Sequence, residues 1–109
     1  MTSTETGSRV RVCSVGEVAD GEIKGADLPD GQRIALYKVG DTIYATADTC
    51  THGEASLSEE GLLSGKIVEC TWHFGTFDVT TGAALTSPCT VALKTFPVEV
   101  VDGDVYVGY

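Results

Sequence analysis

A chain of 109 residues has room for one domain with a single core and little to spare. Sixteen acidic against seven basic residues give a net charge of −9, which argues against a nucleic-acid surface and suits solubility and steering toward a basic partner. No stretch approaches the ~20 apolar residues of a membrane span, and Met1–Gly7 has neither basic residues nor an apolar run, so no leader is expected and the chain reads as cytoplasmic.

In chain order, residues 1–8 are expected to fray. Val10–Ser14 alternates charged and apolar residues as a first strand, with Cys13 a small core residue within it. Val15–Lys24 reads as loop with a turn near Glu17–Asp20, and Asp27-Leu28-Pro29-Asp30-Gly31 as a turn. Gln32–Val39 alternates, with Ile34 and Leu36 on one side and Arg33, Ala35, Tyr37 and Val39 on the other. Gly40-Asp41 then closes a hairpin into Thr42–Thr46. Residues 47–61 read as polar, acidic loop. Leu62-Leu63 and Lys66–Glu69 form a strand pair around Ser64-Gly65, Thr76–Val79 is a strand and Thr80-Thr81-Gly82 a turn. Thr86-Ser87-Pro88-Cys89 reads as loop, and Ala92–Val101 with Asp104–Val107 as a last hairpin around Asp102-Gly103. No window keeps helical periodicity over three turns, so the expected class is all-β.

The chemistry concentrates between Cys50 and His73. Cys50-Thr51-His52 and Cys70-Thr71-Trp72-His73 each put one cysteine and one histidine on a tight loop, and the chain has no other histidine. Soft thiolates select copper(I), zinc or iron–sulfur centres, and imidazole suits zinc, copper and iron. A structural zinc normally pairs like ligands as C-x₂₋₄-C and H-x₃₋₅-H, and Cys50-x-His52 is too short for that pattern. A mixed pair on each loop suits a binuclear 2Fe–2S centre in which two cysteines hold one iron and two histidines the other. Zinc, or cysteines and histidines scattered without a metal, are the alternatives. In a cytosolic chain these cysteines point to metal rather than to disulfides.

The pattern C-x-H followed by C-x-x-H resembles the cluster motif of the Rieske family. More closely, the chain is similar to the small Rieske-type ferredoxins of bacterial aromatic-ring-hydroxylating dioxygenase systems. Cys50–Ser58 matches their first loop, His73–Val79 with Thr81-Gly82 their second, and Leu93–Val98 and Gly103–Val107 fit as well. The resemblance implies a Rieske fold: antiparallel sheets in a β-sandwich, one domain over 1–109, and a cluster-binding subdomain over 46–90 built from two hairpin loops. It implies one 2Fe–2S cluster held by Cys50, His52, Cys70 and His73. The loop with Pro88 would pack over the cluster, and Cys89 could lie near it without being a ligand.

High-potential relatives carry an extra cysteine in each loop, joined as a disulfide, and a serine and a tyrosine whose hydroxyls bond the cluster sulfurs. The matching positions here are Ala55 and Trp72, and Gly75 and Phe77. Without those hydroxyls the resemblance implies a potential near the low end of the Rieske range, about −150 mV. Reduction would add one electron to a cluster of zero net charge. Trp72 and Phe74 would flank the exposed edge of His73 as a contact patch or a water shield, with Glu54 and Glu59 as a solvated loop face, the reading favoured over a polar rim. The function implied is a one-electron carrier with no catalysis of its own, between an NAD(P)H-dependent flavoprotein ferredoxin reductase and a terminal oxygenase. The alternatives are a small subunit held permanently in a larger oxidoreductase, or a structural zinc module.

Overall fold

The structure is a computed structural model that describes residues 9–50, 55–71, 75–86 and 91–109. Among these, eleven strands form three antiparallel sheets. The first has order β1-β11-β10, from Arg9–Ser14, Asp104–Gly108 and Val98–Val101. The middle sheet is β2-β3-β4-β9, from Ile23–Asp27, Arg33–Val39, Thr42–Ala47 and Thr95–Phe96. The third is β5-β6-β7-β8, from Gly61–Ser64, Ile67–Cys70, Gly75–Asp78 and Ala84–Thr86. The all-β expectation holds.

The middle sheet is buried on both sides, and β3 shows why. Its side chains alternate in direction. Ile34 and Leu36 enter one core with Cys13, Val18, Leu28, Ile43, Phe96, Val105 and Val107, toward the first sheet. Ala35 and Tyr37 enter a second core with Cys50, Leu57, Val68, Cys70, Phe77, Val79 and Leu93, toward the third. The alternation read from Gln32–Val39 therefore separates two cores rather than a core from solvent. Cys13 is a buried core residue of the first, and burial pushes its thiol pKa up.

Several expectations are corrected. The loop assigned to Val15–Lys24 contains a 3₁₀ turn, Val15–Glu17, closed by Ser14 N–H and Oγ–H donating to the Glu17 carboxylate, and it ends in the start of β2. Strand β2 was hidden by Gly25, since glycine inside a strand usually marks a weak point or a close approach. Here it is a close approach: a Cβ at Gly25 would lie 2.5 Å from Arg33 Nη2 and 2.6 Å from Ser58 Oγ. Within residues 47–61, Leu57–Glu60 is a single helical turn, α1, too short to leave a periodic signal. Ser64 pairs with Ile67, so the turn is Gly65-Lys66, with Gly65 at φ 58, rather than Ser64-Gly65. Ala84–Thr86 forms β8 against β7, with a bulge between Thr76 and Phe77.

The expected strand Ala92–Val101 is broken at Pro97, which has no N–H for a ladder. Before it, Thr95–Phe96 pairs with β4; after it, Val98–Val101 pairs with β11. The chain thus leaves the middle sheet for the first at this proline, and the Pro97 carbonyl accepts the Gly108 N–H at 2.9 Å.

Candidate metal centre

Two cysteines of the predicted set lie in the described residues, and both enter the same core. Cys50 is 2 % exposed and Cys70 fully buried, among Ala35, Tyr37, Ala55, Leu57, Val68, Phe77, Val79 and Leu93. His52 and His73 lie outside the described residues, as do Glu54, Trp72, Phe74, Pro88 and Cys89.

Each cysteine stands at the closed base of a loop. After β4 the chain turns at Asp48, Thr49 bridges to Ser56 in antiparallel fashion, and Cys50 N–H donates to the Ala55 carbonyl at 2.9 Å. Cys70 ends β6 and pairs with Gly75, the first residue of β7. On its other side Cys70 pairs with Gly61, so its row across the sheet is glycine, cysteine, glycine. Gly61 is required on its own account: a Cβ there would lie 2.5 Å from the Leu57 carbonyl, where α1 rests on the strand.

Helical turn α1 joins the two loop bases. Leu57 is fully buried, and its N–H donates to the Asp48 carbonyl at 2.7 Å. At the other end of the turn, Thr71 Oγ–H donates to the Glu60 carbonyl at 2.5 Å. Ser56 precedes the turn but does not cap it with its own side chain. Asp48, 2 % exposed, supplies the acceptor instead: Oδ1 takes the Ser58 N–H at 2.8 Å and Oδ2 the Ser56 hydroxyl at 2.5 Å. Arg33 Nε stands 3.5 Å from Oδ2, and Arg33 Nη1 bonds Asp27 at 3.2 Å. That carboxylate partner, with Asp48 nearby, pushes the guanidinium pKa up. Beneath the site, Tyr37 O–H and Thr46 Oγ1 are 2.8 Å apart in the core, and burial pushes the phenol far above its ordinary pKa.

The positions that would carry an extra disulfide or cluster-bonding hydroxyls read plainly. Ala55 is 1 % exposed, Gly75 is buried, and Phe77 is fully buried, wedged between Val68 and Ala84. Glu59 is exposed on α1. Among the described residues no group of three or more His, Cys, Asp or Glu gathers, since the histidines lie outside them. Two buried thiols at adjacent loop bases, walled by apolar side chains, fit a soft centre sheltered from water. Asp48, Arg33 and Ser56 are the residues that sequence reasoning missed.

Comparison with known proteins bears on the same segment. The family model described as "Rieske [2Fe-2S] domain" matches residues 8–97. The ferredoxin component of the p-cumate 2,3-dioxygenase system of Pseudomonas putida is 49% identical over 98 residues, covering 90% of this chain and 83% of that protein. A chain in the complex of reduced oxygenase and oxidised ferredoxin in carbazole 1,9a-dioxygenase superposes with TM-score 0.87 at 47% identity, covering 94% of both chains. The Sphingomonas yanoikuyae B1 ferredoxin superposes with TM-score 0.88 at 38% identity, covering 94% of this chain and 99% of that one.

Proposed function

The chain belongs to the Rieske [2Fe-2S] family, and from that premise we propose how it works. It carries one Rieske-type 2Fe–2S cluster and is the ferredoxin component of an aromatic-ring dioxygenase system, moving electrons to a terminal oxygenase and performing no oxygenation itself. When bound, the cluster supplies a one-electron couple; the rest falls to the protein. The observation that carries the reading is the burial of Cys50 and Cys70 in one apolar core, at the bases of two loops joined by α1.

In this proposal Cys50 and Cys70 hold one iron and His52 and His73 the other, within a cluster-binding subdomain over 46–90 of a single domain. The donor chemistry supports it: two thiols and two imidazoles are the Rieske set, and these are the only histidines in the chain. The apolar wall of Leu57, Val68, Phe77 and Leu93 keeps water from the thiolates. With Gly75 and Phe77 at the second loop, no side-chain hydroxyl from those positions reaches toward the sulfurs, which favours a low potential suited to a flavoprotein donor. We therefore propose an NAD(P)H-dependent flavoprotein reductase as donor and a cytoplasmic location. Among the described residues no helix is long and apolar enough to cross a membrane.

The test is reconstitution. The purified protein should be red-brown, take up one electron per chain, and couple a flavoprotein ferredoxin reductase to a ring-hydroxylating oxygenase. His52→Ala and His73→Ala should each abolish the spectrum and the coupling. A colourless zinc protein, or a His52→Ala, His73→Ala double variant that still transfers electrons, would overturn the reading.

A further inference from the structure

Asp48 is a buried carboxylate that the electron-carrying role does not itself require. It stands between the middle sheet and the loop that begins at Cys50. Its backbone N–H donates to the Arg33 carbonyl at 3.1 Å and its carbonyl accepts the Leu57 N–H at 2.7 Å. Its two carboxylate oxygens take the Ser58 N–H at 2.8 Å and the Ser56 hydroxyl at 2.5 Å. These partners lie beyond the loop, so Asp48, two residues before Cys50, grips the segment that follows Ala55. Arg33 Nε, at 3.5 Å, supplies the counter-charge that a buried carboxylate needs. Arg33 reaches it across Gly25, where any Cβ would collide with Arg33 Nη2 at 2.5 Å and Ser58 Oγ at 2.6 Å.

We propose that Asp48 is a positioning residue for the cluster: with Arg33 lying in the notch left by Gly25, it latches Ser56 and Ser58 and so fixes the loop that presents Cys50 and His52. The proposal rests on the ligand set given above. Asp48 acts by holding closed the base of the loop at Cys50, through Ser56 and Ser58. Support of this kind beyond the ligands commonly changes metal retention by about 10–100-fold when lost.

The experiment uses the holoprotein and reads two quantities: the rate of iron release to excess chelator, and the visible circular dichroism of the cluster. Asp48→Asn keeps an acceptor for the Ser58 N–H but puts an amide where the Ser56 hydroxyl donated. It should release iron about tenfold faster and alter the visible spectrum. Ser56→Ala removes the other partner and should move both readouts in the same direction, while Ser56→Thr keeps the hydroxyl and should restore both. Gly25→Ala, which crowds both Arg33 and Ser58, should also speed release. Wild-type release rates in Asp48→Asn and Ser56→Ala would overturn the latch, as would a lower melting temperature with an unchanged cluster spectrum. His52→Ala separates the two claims: a surviving Rieske spectrum there overturns the ligand set and the latch with it, whereas a lost spectrum beside an unaffected Ser56→Ala overturns the latch alone.

Discussion

The hydroxyl pair of Tyr37 and Thr46 allows a stability prediction with a definite sign and order. Thr46 Oγ1 donates its hydrogen to the Ala47 carbonyl at 2.9 Å, so in the 2.8 Å contact between the hydroxyls Tyr37 is the donor and Thr46 the acceptor. Tyr37→Phe therefore removes one neutral hydrogen bond and leaves only an acceptor lone pair unfilled, at a cost of about 0.5–1.5 kcal/mol. Thr46→Val is nearly isosteric but strands the Tyr37 O–H donor in a site with no exposure, which costs about 1–3 kcal/mol. The double change replaces both partners with apolar groups and should be no worse than Thr46→Val alone. A double-mutant cycle should thus return a coupling of about 1 kcal/mol or more. At about 4–8 °C per kcal/mol for a domain near this size, thermal unfolding followed by far-ultraviolet circular dichroism resolves the series.

The same pair has a pH signature. Burial raises the Tyr37 pKa in the folded protein, so the unfolded chain loses its phenolic proton first, near pH 10. Above that, the unfolded state binds fewer protons, and stability falls by about 1.4 kcal/mol per pH unit from this group. Tyr37→Phe should abolish that component, so its deficit against wild type should shrink above pH 10. Additive single changes, or a Tyr37→Phe deficit that is constant through pH 11, would refute the argument.

Phe77→Tyr places a hydroxyl in the core shared by Cys50 and Cys70; a hydrogen bond worth about 1 kcal/mol more to the reduced cluster raises the midpoint potential by roughly 40 mV, read by spectroelectrochemical titration. Gly82→Ala should cost well over 1 kcal/mol in a denaturant titration, because Gly82 has φ 80 and a Cβ there would lie 2.2 Å from the Leu93 carbonyl oxygen. Asp78 is held below its ordinary pKa by the Thr80 hydroxyl and then by the Thr80 N–H. Its contribution is present above about pH 4 and lost as pH falls through the lowered value, so Asp78→Asn should flatten the acid limb of the stability curve.

What the sequence exposed and what it hid follow from the range of the interactions. The direction of Ile34, Leu36, Ala35 and Tyr37 was legible because alternation is a local property of the strand, although that both faces were buried was not. Cys50 and Cys70 stood out by spacing and residue type, and the structure places both in one core, which no local pattern showed. The break at Pro97 was in principle readable, because proline interrupts a central ladder, but the apolar run around it reads as one strand. Strand β2 was masked because Gly25 answers to Arg33 and Ser58, which lie far from it in the chain. Asp48 left no local signal for the same reason: an acid in a polar loop looks solvated until Arg33 and the two serines close around it.

The two thiols are therefore held by different physics. Cys70 sits in a continuous ladder, with Gly61 on one side and Gly75 on the other, so its position is inherited from backbone hydrogen bonds that no surface substitution removes. Cys50 lies beyond the end of β4, where among the described residues the ladder is short: Cys50 N–H to the Ala55 carbonyl, the Thr49–Ser56 bridge and Leu57 N–H to the Asp48 carbonyl. Side chains add further constraint there, and among the described residues Asp48 is positioned to do so. Backbone ladders fail cooperatively with the fold, whereas a single buried carboxylate with hydroxyl partners fails alone. On the proposed ligand set, the first loop is thus the side on which cluster retention should change while the β-sandwich stays intact.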